Sequence, residues 1–327
     1  MNENLITEIE IKHFKCFEDF KANGFKRVNL IGGKNNVGKT ALMEACWIYE
    51  RNKNSRNVIE AYLNMVNSIT LIKEFRHLRN DDNYDLQLAL LKKFNRLSIK
   101  SHNQFVKLNI EFNNLEVKIA INDLEMDTSL TNSNLVEDIL SDKKATNFIP
   151  SCKIDNDLMI ILYDRIKEKR QRNKLNEYIH QFDPDILEFE IINNLPKVFL
   201  ESRKQFEDLA ELGHGLKRYI AIISAILVCQ EGCLLIDEIE NGIHYMQLDR
   251  LWEIILTLSE ALNCQIFAAT HSKDCIEAYY KVSKKLAYKN VSYIKMTRLK
   301  SGKISSSVYD YELLENSLEQ DHEVRGW

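Results

Sequence analysis

Apolar residues change their period along this chain, and the period assigns the elements. "LITEIEIKHF" (residues 5–14) alternates apolar with polar as a half-buried strand does, and "RVNLI" (27–31) is a short apolar run of buried-strand type. In "KTALMEACWIYERN" the spacing lengthens, with Leu42, Ala45, Cys46 and Tyr49 at helical intervals. The first fifty residues therefore predict strand, strand, loop, helix. Further on, "LAELGHGLKRYIAIISAIL" (209–227) carries Leu216, Tyr219, Ile220, Ile223 and Leu227 on one helical face. "CLLIDEIENG" (233–242) and "QIFAATHS" (265–272) each open as unbroken apolar runs, the mark of buried parallel strands. "VSYIKMTRLKSGKISSSVYDY" (291–311) reads as a hairpin closing the sheet and the remainder as a short tail.

The middle of the chain, residues 51–195, patterns differently. Residues 56–78 look helical, while "RLSIKS", "QFVKLNIEF" and "LEVKIAI" alternate like a small antiparallel sheet. Polar "NDLEMDTSLTNSN" (122–134) reads as a loop and 154–182 as one long helix or two. Within the latter, "RIKEKRQRNK" (165–174) is strongly basic. It suits a solvated helix face, a nucleic-acid contact or a docking site for a partner.

Candidate chemistry lies where strands end. "NLIGGKNNVGKTALME" (29–44) places three of the chain's ten glycines within seven positions, between a predicted strand and a predicted helix. Gly33-x-x-x-x-Gly38-Lys39-Thr40 matches the Walker A pattern in full. Such a loop curls round a polyphosphate with its amides pointing inward, which side chains would obstruct, and feeds a helix N-terminus. Lys39 then reaches the β- and γ-phosphates and the Thr40 hydroxyl ligates Mg²⁺. Lys34, Asn35, Asn36, Val37 and Ala41 complete the candidate phosphate-binding segment.

In "CLLIDEIENG" an apolar strand delivers two carboxylates at its C-terminal end, where open α/β sheets bind ligands. Asp237 suits the Mg²⁺ shell of a Walker B motif. Glu238, turned to the opposite side by strand alternation, suits a base polarising the attacking water. His271, in "ATHS", taken alone reads first as a hydrogen-bonded core-edge histidine; one strand–helix unit after Walker B, it becomes a candidate γ-phosphate contact and catalytic residue. Gly213, His214 and Gly215 open the long apolar helix and form a second anion-binding N-terminus. One domain of the usual architecture does not fold that corner onto its own P-loop, so it is expected to serve a second copy's nucleotide.

Composition adds exclusions. The formal net charge of −4 over 327 residues supplies no global basic field for nucleic acid. Seven cysteines (16, 46, 152, 229, 233, 264, 275) without a C-x-x-C pair read as reduced cytoplasmic thiols rather than disulfides or a zinc site. The N-terminus lacks the apolar core of a secretory leader, and no apolar run approaches membrane-spanning length.

Walker A near the N-terminus, a long insertion, then Gly-x-Gly–helix, "LLIDEIENGIH" and "ATHS" resemble the ABC-type ATPases of the SMC/RecF group. The opening "IEIKHFKCFEDF" and the wording "ELGHGLKRY" and "DEIENGIH" are most similar to the overcoming-lysogenisation-defect (OLD) family and its stand-alone AAA-15/AAA-21-like relatives. The resemblance covers residues 5–50 and 196–298 and is vague between them. It implies an α/β P-loop NTPase of ABC/SMC-head type, a mixed central sheet with helices on both faces plus an inserted α+β region. The expected division is an ATPase lobe at 1–75, an insertion at 76–195, a second ATPase lobe at 196–312 and a tail at 313–327.

By motif, Gly213, His214 and Gly215 take the signature position, and Glu240, Gly242 and His244 the D-loop region; Tyr245 stands where relatives often show proline. The resemblance further implies slow, dimer-dependent ATP hydrolysis in a head-to-tail pair that sandwiches two ATP molecules. Adenine is favoured because no Asn-Lys-x-Asp guanine reader occurs; Phe14 or Phe17 either contacts the base or belongs to the core. OLD nucleases continue into a Toprim domain, for which the residues after the last hairpin are too few, so DNA cleavage by this chain alone is not expected. Three functions fit. One is the sensor or regulatory ATPase of a multi-component prokaryotic antiphage system, controlling a separate, possibly Toprim-type, effector, with DNA an optional partner and no membrane. The others are a RecF-like DNA recombination or repair ATPase and a nucleotide switch with negligible turnover.

Overall fold

The computed structural model describes residues 5–52, 98–101, 104–113, 116–121, 124–129, 148–151 and 154–319. The helix expected at 56–78 and the domain boundary at 75 lie outside them. The sheet that carries the chemistry has six strands in the order β15 (Ile304–Asp310), β14 (Val291–Arg298), β3 (Val28–Gly33), β13 (Gln265–Ala269), β12 (Cys233–Ile236) and β8 (Phe148–Ile149). All neighbours run parallel except the β14–β15 hairpin. Register is level across the middle: Ile31 pairs with Ala269 and Ala268 with Ile236. The carboxyl ends of β3, β13 and β12 therefore open onto one edge.

Period-2 alternation splits this sheet between two cores. Leu30, Leu234, Ile236, Ile266 and Ala268 face the first, packed with helices α2 (Asn156–Glu168), α3 (Arg172–Phe182), α4 (His214–Val228), α5 (Leu248–Ala261) and α6 (Lys273–Lys285). Ile31, Leu235, Phe267, Ala269 and Ile294 face the second, which holds α1 (Lys39–Asn52). Helix α1 is buried nearly all round from Ala41 to Tyr49, not along one stripe. A second, antiparallel sheet covers it, in the order β2 (Phe17–Asn23), β1 (Glu8–Phe14), β4 (Ser98–Ser101), β5 (Gln104–Asn113), β6 (Glu116–Ile121), β7 (Leu124–Ser129).

Three sequence expectations are corrected. The inserted strands do not form a sheet of their own; β4 pairs with β1 (Ile11 opposite Ile99), so the insertion extends the N-terminal hairpin. Residues 124–129, expected as loop, form β7, because pairing with β6 satisfies their backbone whatever their side-chain polarity. The tail begins as a helix, α7 (Tyr311–Glu319), anchored where Glu315 accepts from the Tyr280 hydroxyl and the Lys284 ammonium, both at 2.6 Å. The 154–182 segment is two helices, and its basic run spans the last turn of α2, the turn at 169–171 and the first turn of α3. There Arg172 pairs with Glu188 and Glu190, and Lys169 donates to the Val228 carbonyl.

Strands β9 (Ile186–Ile192), β10 (Leu195–Leu200) and β11 (Gln205–Asp208) make a three-stranded antiparallel sheet beside α2 and α3 and lead through a 3₁₀ turn (Leu209–Leu212) into α4. Helix α4 is buried on every side from Leu216 to Val228, including Lys217 and Arg218, as a central helix rather than a surface one.

Long-range polar clips hold the N-terminal hairpin to the nucleus. Buried Gln265 accepts from the Ile6 amide (2.9 Å) and donates to the Ile6 and Lys26 carbonyls (both 2.8 Å). Gln265→Ala would leave these backbone groups unsatisfied in the interior, at a cost of about 2–4 kcal/mol. Chemical denaturation should register it as a lowered midpoint with an unchanged slope.

Candidate nucleotide-binding and hydrolysis site

A cleft of about 700 Å³ opens at the carboxyl edge of β3, β12 and β13. It is lined by the loop and first turn after β3 (Asn35 to Ala41, Val37 excepted), by Asp237, Glu238 and His271, and by Lys15, Cys16 and Glu44. The loop keeps its shape because two glycines occupy left-handed backbone, Gly33 at φ +140° and Gly38 at φ +91°. A methyl on Gly33 would stand 2.4 Å from the Met296 carbonyl oxygen, and one on Gly38 2.7 Å from the Cys16 Sγ. Val37 turns inward as part of the second core, while Lys34, Asn35 and Asn36 are exposed. Helix α1 has no acidic residue in its first turn, so its N-terminal amides and dipole are left for an anion.

Lys39 sits in the loop with all three ammonium donors satisfied: the Gly33 carbonyl at 2.9 Å, the Lys34 carbonyl at 2.7 Å and His271 Nδ1 at 3.2 Å. Burial brings its pKa down to about 8, against the opposing pull of Asp237, Glu238 and Glu240. An ammonium only donates, so His271 accepts at Nδ1 and carries its proton on Nε2, which lies 3.6 Å from Glu238 Oε1. Burial, then the Lys39 charge, lowers the His271 pKa and favours this neutral form. The Thr40 hydroxyl donates to Asp237 Oδ2 at 3.0 Å. Burial raises the Asp237 carboxyl above its ordinary range, and the Thr40 hydrogen bond opposes that rise.

Glu238 reaches the cleft by a different route from the expected one. Strand β12 ends at Ile236, and Glu238 has φ +48°, so a left-handed turn rather than strand alternation aims its carboxylate. The residue that holds this turn was not identified from the sequence. Arg218 of α4, 3% exposed, donates to the carbonyls of Pro150, Asp237 and Glu238. Its only sequence signal is that, with the adjacent Lys217, it sets charge inside a largely apolar helix. Phe148, Pro150 and Ser151, which also line the cleft, carry no motif; Glu44 stands one helical turn after Thr40 and was detectable by spacing.

Gly213, His214 and Gly215 are not brought into this cleft. Gly213 and His214 are exposed and border a separate pocket of about 450 Å³ with Asp155, Asn156 and Lys217. A methyl on Gly213 would meet nothing within 4 Å, whereas one on Gly215 would lie 2.1 Å from the Gly242 carbonyl oxygen. Gly215 is thus fixed by the close packing of α4 on the segment after Asp237, a role the sequence reading assigned to phosphate approach. Phe14 and Phe17 are 1% and 2% exposed, members of the second core rather than base contacts.

A glycine loop between β3 and α1, a hydroxyl–carboxylate pair at its mouth, and an acid and a histidine from the two neighbouring parallel strands define an ABC-type P-loop nucleoside triphosphatase. The chain belongs to the AAA_21 family, described as "AAA domain, putative AbiEii toxin, Type IV TA system", whose profile matches residues 28–274. It is similar to a Helicobacter pylori protein named ATP/GTP phosphatase, with 28% identity over 323 residues that cover 84% of this chain and 87% of the relative. Its fold is similar to that of the SmcHead solved bound to the C-winged helix domain of ScpA (TM-score 0.56, 13% identity, covering 96% of this chain and 99% of the other). It is also similar to an Smc head domain with an extended coiled coil bound to the C-terminal domain of ScpA derived from Pyrococcus furiosus (TM-score 0.54, 12% identity, covering 97% and 99%). The expected fold class and ATPase chemistry stand on these findings. Among the described residues, no helix is long and apolar enough to cross a membrane.

The Lys39 environment sets a pH dependence. Its lowered pKa in the free protein means the charge that meets phosphate is present below about 8 and lost above it. Measured by equilibrium titration at constant salt, triphosphate affinity should be flat from pH 6.5 to 7.5. Above about 8 it should fall by up to tenfold per unit.

Proposed function

We propose that this chain is the ATP-driven regulatory subunit of a multi-component prokaryotic defence system, working in the cytoplasm as a head-to-tail dimer. One copy grips ATP through Lys39 and its loop, and a second copy closes over it through the exposed Gly213 and His214 at the start of α4, with Gly215 seating that corner against Gly242. One observation carries the reading: the cleft holds Lys39, Thr40, Asp237, Glu238 and His271 together, while the glycine corner stands apart, exposed and facing open space. A cleft that lacks the glycine corner, and a helix start exposed away from that cleft, suit a composite of two copies. The family description, a toxin of a type IV system, supports a role among several components, and such a subunit would act on a separately encoded effector, of Toprim type in the simplest case.

Within the cleft, Lys39 exchanges its loop carbonyls for phosphate oxygens, and the amides of the loop and of the first turn of α1 hold the remaining charge. Glu238 polarises water and His271 contacts the γ-phosphate. Thr40 Oγ1 and Asp237 Oδ2 are hard oxygen donors 3.0 Å apart, a set that fits Mg²⁺, which uses few protein ligands and completes its shell with phosphate and water. When bound, Mg²⁺ neutralises phosphate charge. Adenine is the proposed base; because the Helicobacter pylori relative is named for both nucleotides, ATP and GTP are to be compared directly.

Glu238→Gln should retain ATP binding and accumulate a closed dimer, seen as a doubling of mass by light scattering on adding ATP and Mg²⁺. Lys39→Ala should lose nucleotide binding and remain at the nucleotide-free mass. Unaltered turnover in both variants refutes the assignment. Turnover stimulated by duplex DNA, with affinity falling steeply as salt rises, would favour the RecF-like function instead.

A further inference from the structure

Glu240 stands outside the cleft lining, yet its carboxylate is committed to the cleft's histidine. Oε1 accepts from the main-chain amides of His271 (2.8 Å) and Ser272 (3.1 Å), two of the three residues that lead from β13 to α6. Those amides precede the helix, so the capping work is done separately: Ser272 is the N-cap and its hydroxyl accepts from Cys275 at 3.3 Å. The other carboxylate oxygen, Oε2, is buried without a hydrogen-bond partner. Leaving a buried carboxylate oxygen unsatisfied is destabilising, so stability alone does not select this arrangement. Breaches of this kind concentrate where a site needs a particular geometry.

We propose that Glu240 is a positioning residue for His271: by tying down the peptide that carries the imidazole, it keeps Nδ1 on the Lys39 ammonium and Nε2 beside Glu238. The carboxylate supplies this by accepting at Oε1 from the two amides; its charge through space opposes the loss of the Lys39 proton but also pulls against the neutral form of His271, so the positioning rests on the hydrogen bonds. The inference rests on the reading that His271 takes part in hydrolysis, and the His271→Ala variant tests that reading separately.

The experiment compares ATP turnover and thermal unfolding of Glu240→Ala, Glu240→Gln, His271→Ala and the Glu240→Ala/His271→Ala double variant. Misplacing the imidazole by about 1 Å should lower kcat about 10- to 100-fold in Glu240→Ala while KM stays within about threefold. Glu240→Gln keeps an amide oxygen at the Oε1 position and should recover kcat to within about threefold of the parent. The double variant should be no slower than His271→Ala alone, because one residue acts through the other. Multiplicative losses in the double variant, or a Glutamine variant as slow as Glu240→Ala, would overturn the proposal. A crippled His271→Ala beside an unaffected Glu240→Ala overturns it alone; a fully active His271→Ala removes the underlying reading as well. Should Glu240→Ala not fold, Glu240→Asp, which retracts the carboxylate by one methylene, carries the same comparison with the amide variant.

Discussion

A buried ammonium is the constraint to which the site's geometry answers. Taking Lys39 out of water is unfavourable unless each of its donors is met, and the loop meets two with its own carbonyls and borrows the third acceptor from His271. That third bond fixes which imidazole nitrogen carries the proton, and the proton then faces Glu238. Lysine, histidine and glutamate come from the start of α1 and from the segments just past β13 and β12, and form one polar chain. A phosphate entering the loop competes directly for the lysine's donors, so binding and the freedom of Glu238 are linked by the number of hydrogen bonds one ammonium has to give.

Level parallel register makes that chain available. With β13 between β3 and β12, the residues just past Gly33, Asp237 and Ala269 arrive at one edge without any long side chain having to span a gap. Helix α1 must then start at the same edge, and its near-complete burial between the two sheets holds its N-terminus at the loop. The antiparallel sheet is in this sense part of the site's support. Removing it would expose the apolar residues on the face of α1 that the parallel sheet does not cover.

The parts legible in the sequence are those whose physics is local. Gly33 and Gly38 are readable because a side chain there would strike backbone or a neighbour, and β12 and β13 because an unbroken apolar run in a parallel sheet has nowhere to go but the interior. The turn at Glu238 was not readable: alternation assumes that the strand continues, and the chain leaves it because Arg218, twenty residues earlier, gathers the carbonyls of Asp237 and Glu238. The continuity of the two antiparallel sets of strands was hidden for the same reason, since the pairing of Ile11 with Ile99 joins positions far apart in the chain. Helix α7 depends on partners in α6, and β7 on the backbone of β6; neither is written in its own segment.

Helix α4 meets the segment after β12 at two points, and their chemistry differs. Gly215 abuts the Gly242 carbonyl so closely that no side chain fits, a contact of shape alone. Arg218 grips the carbonyls of Asp237 and Glu238, a contact of charge on dipoles in a dry interior, where such bonds are strong and costly to break. Two attachments at opposite ends of a six-residue span leave α4 little freedom to slide or rotate relative to residues 237–242. The exposed Gly213 corner is therefore joined to the turn that carries Glu238 through α4 and its two contacts. The left-handed backbone at Glu238, uncommon for a residue with a side chain, is the place in that span where a small rotation would change the aim of a carboxylate most.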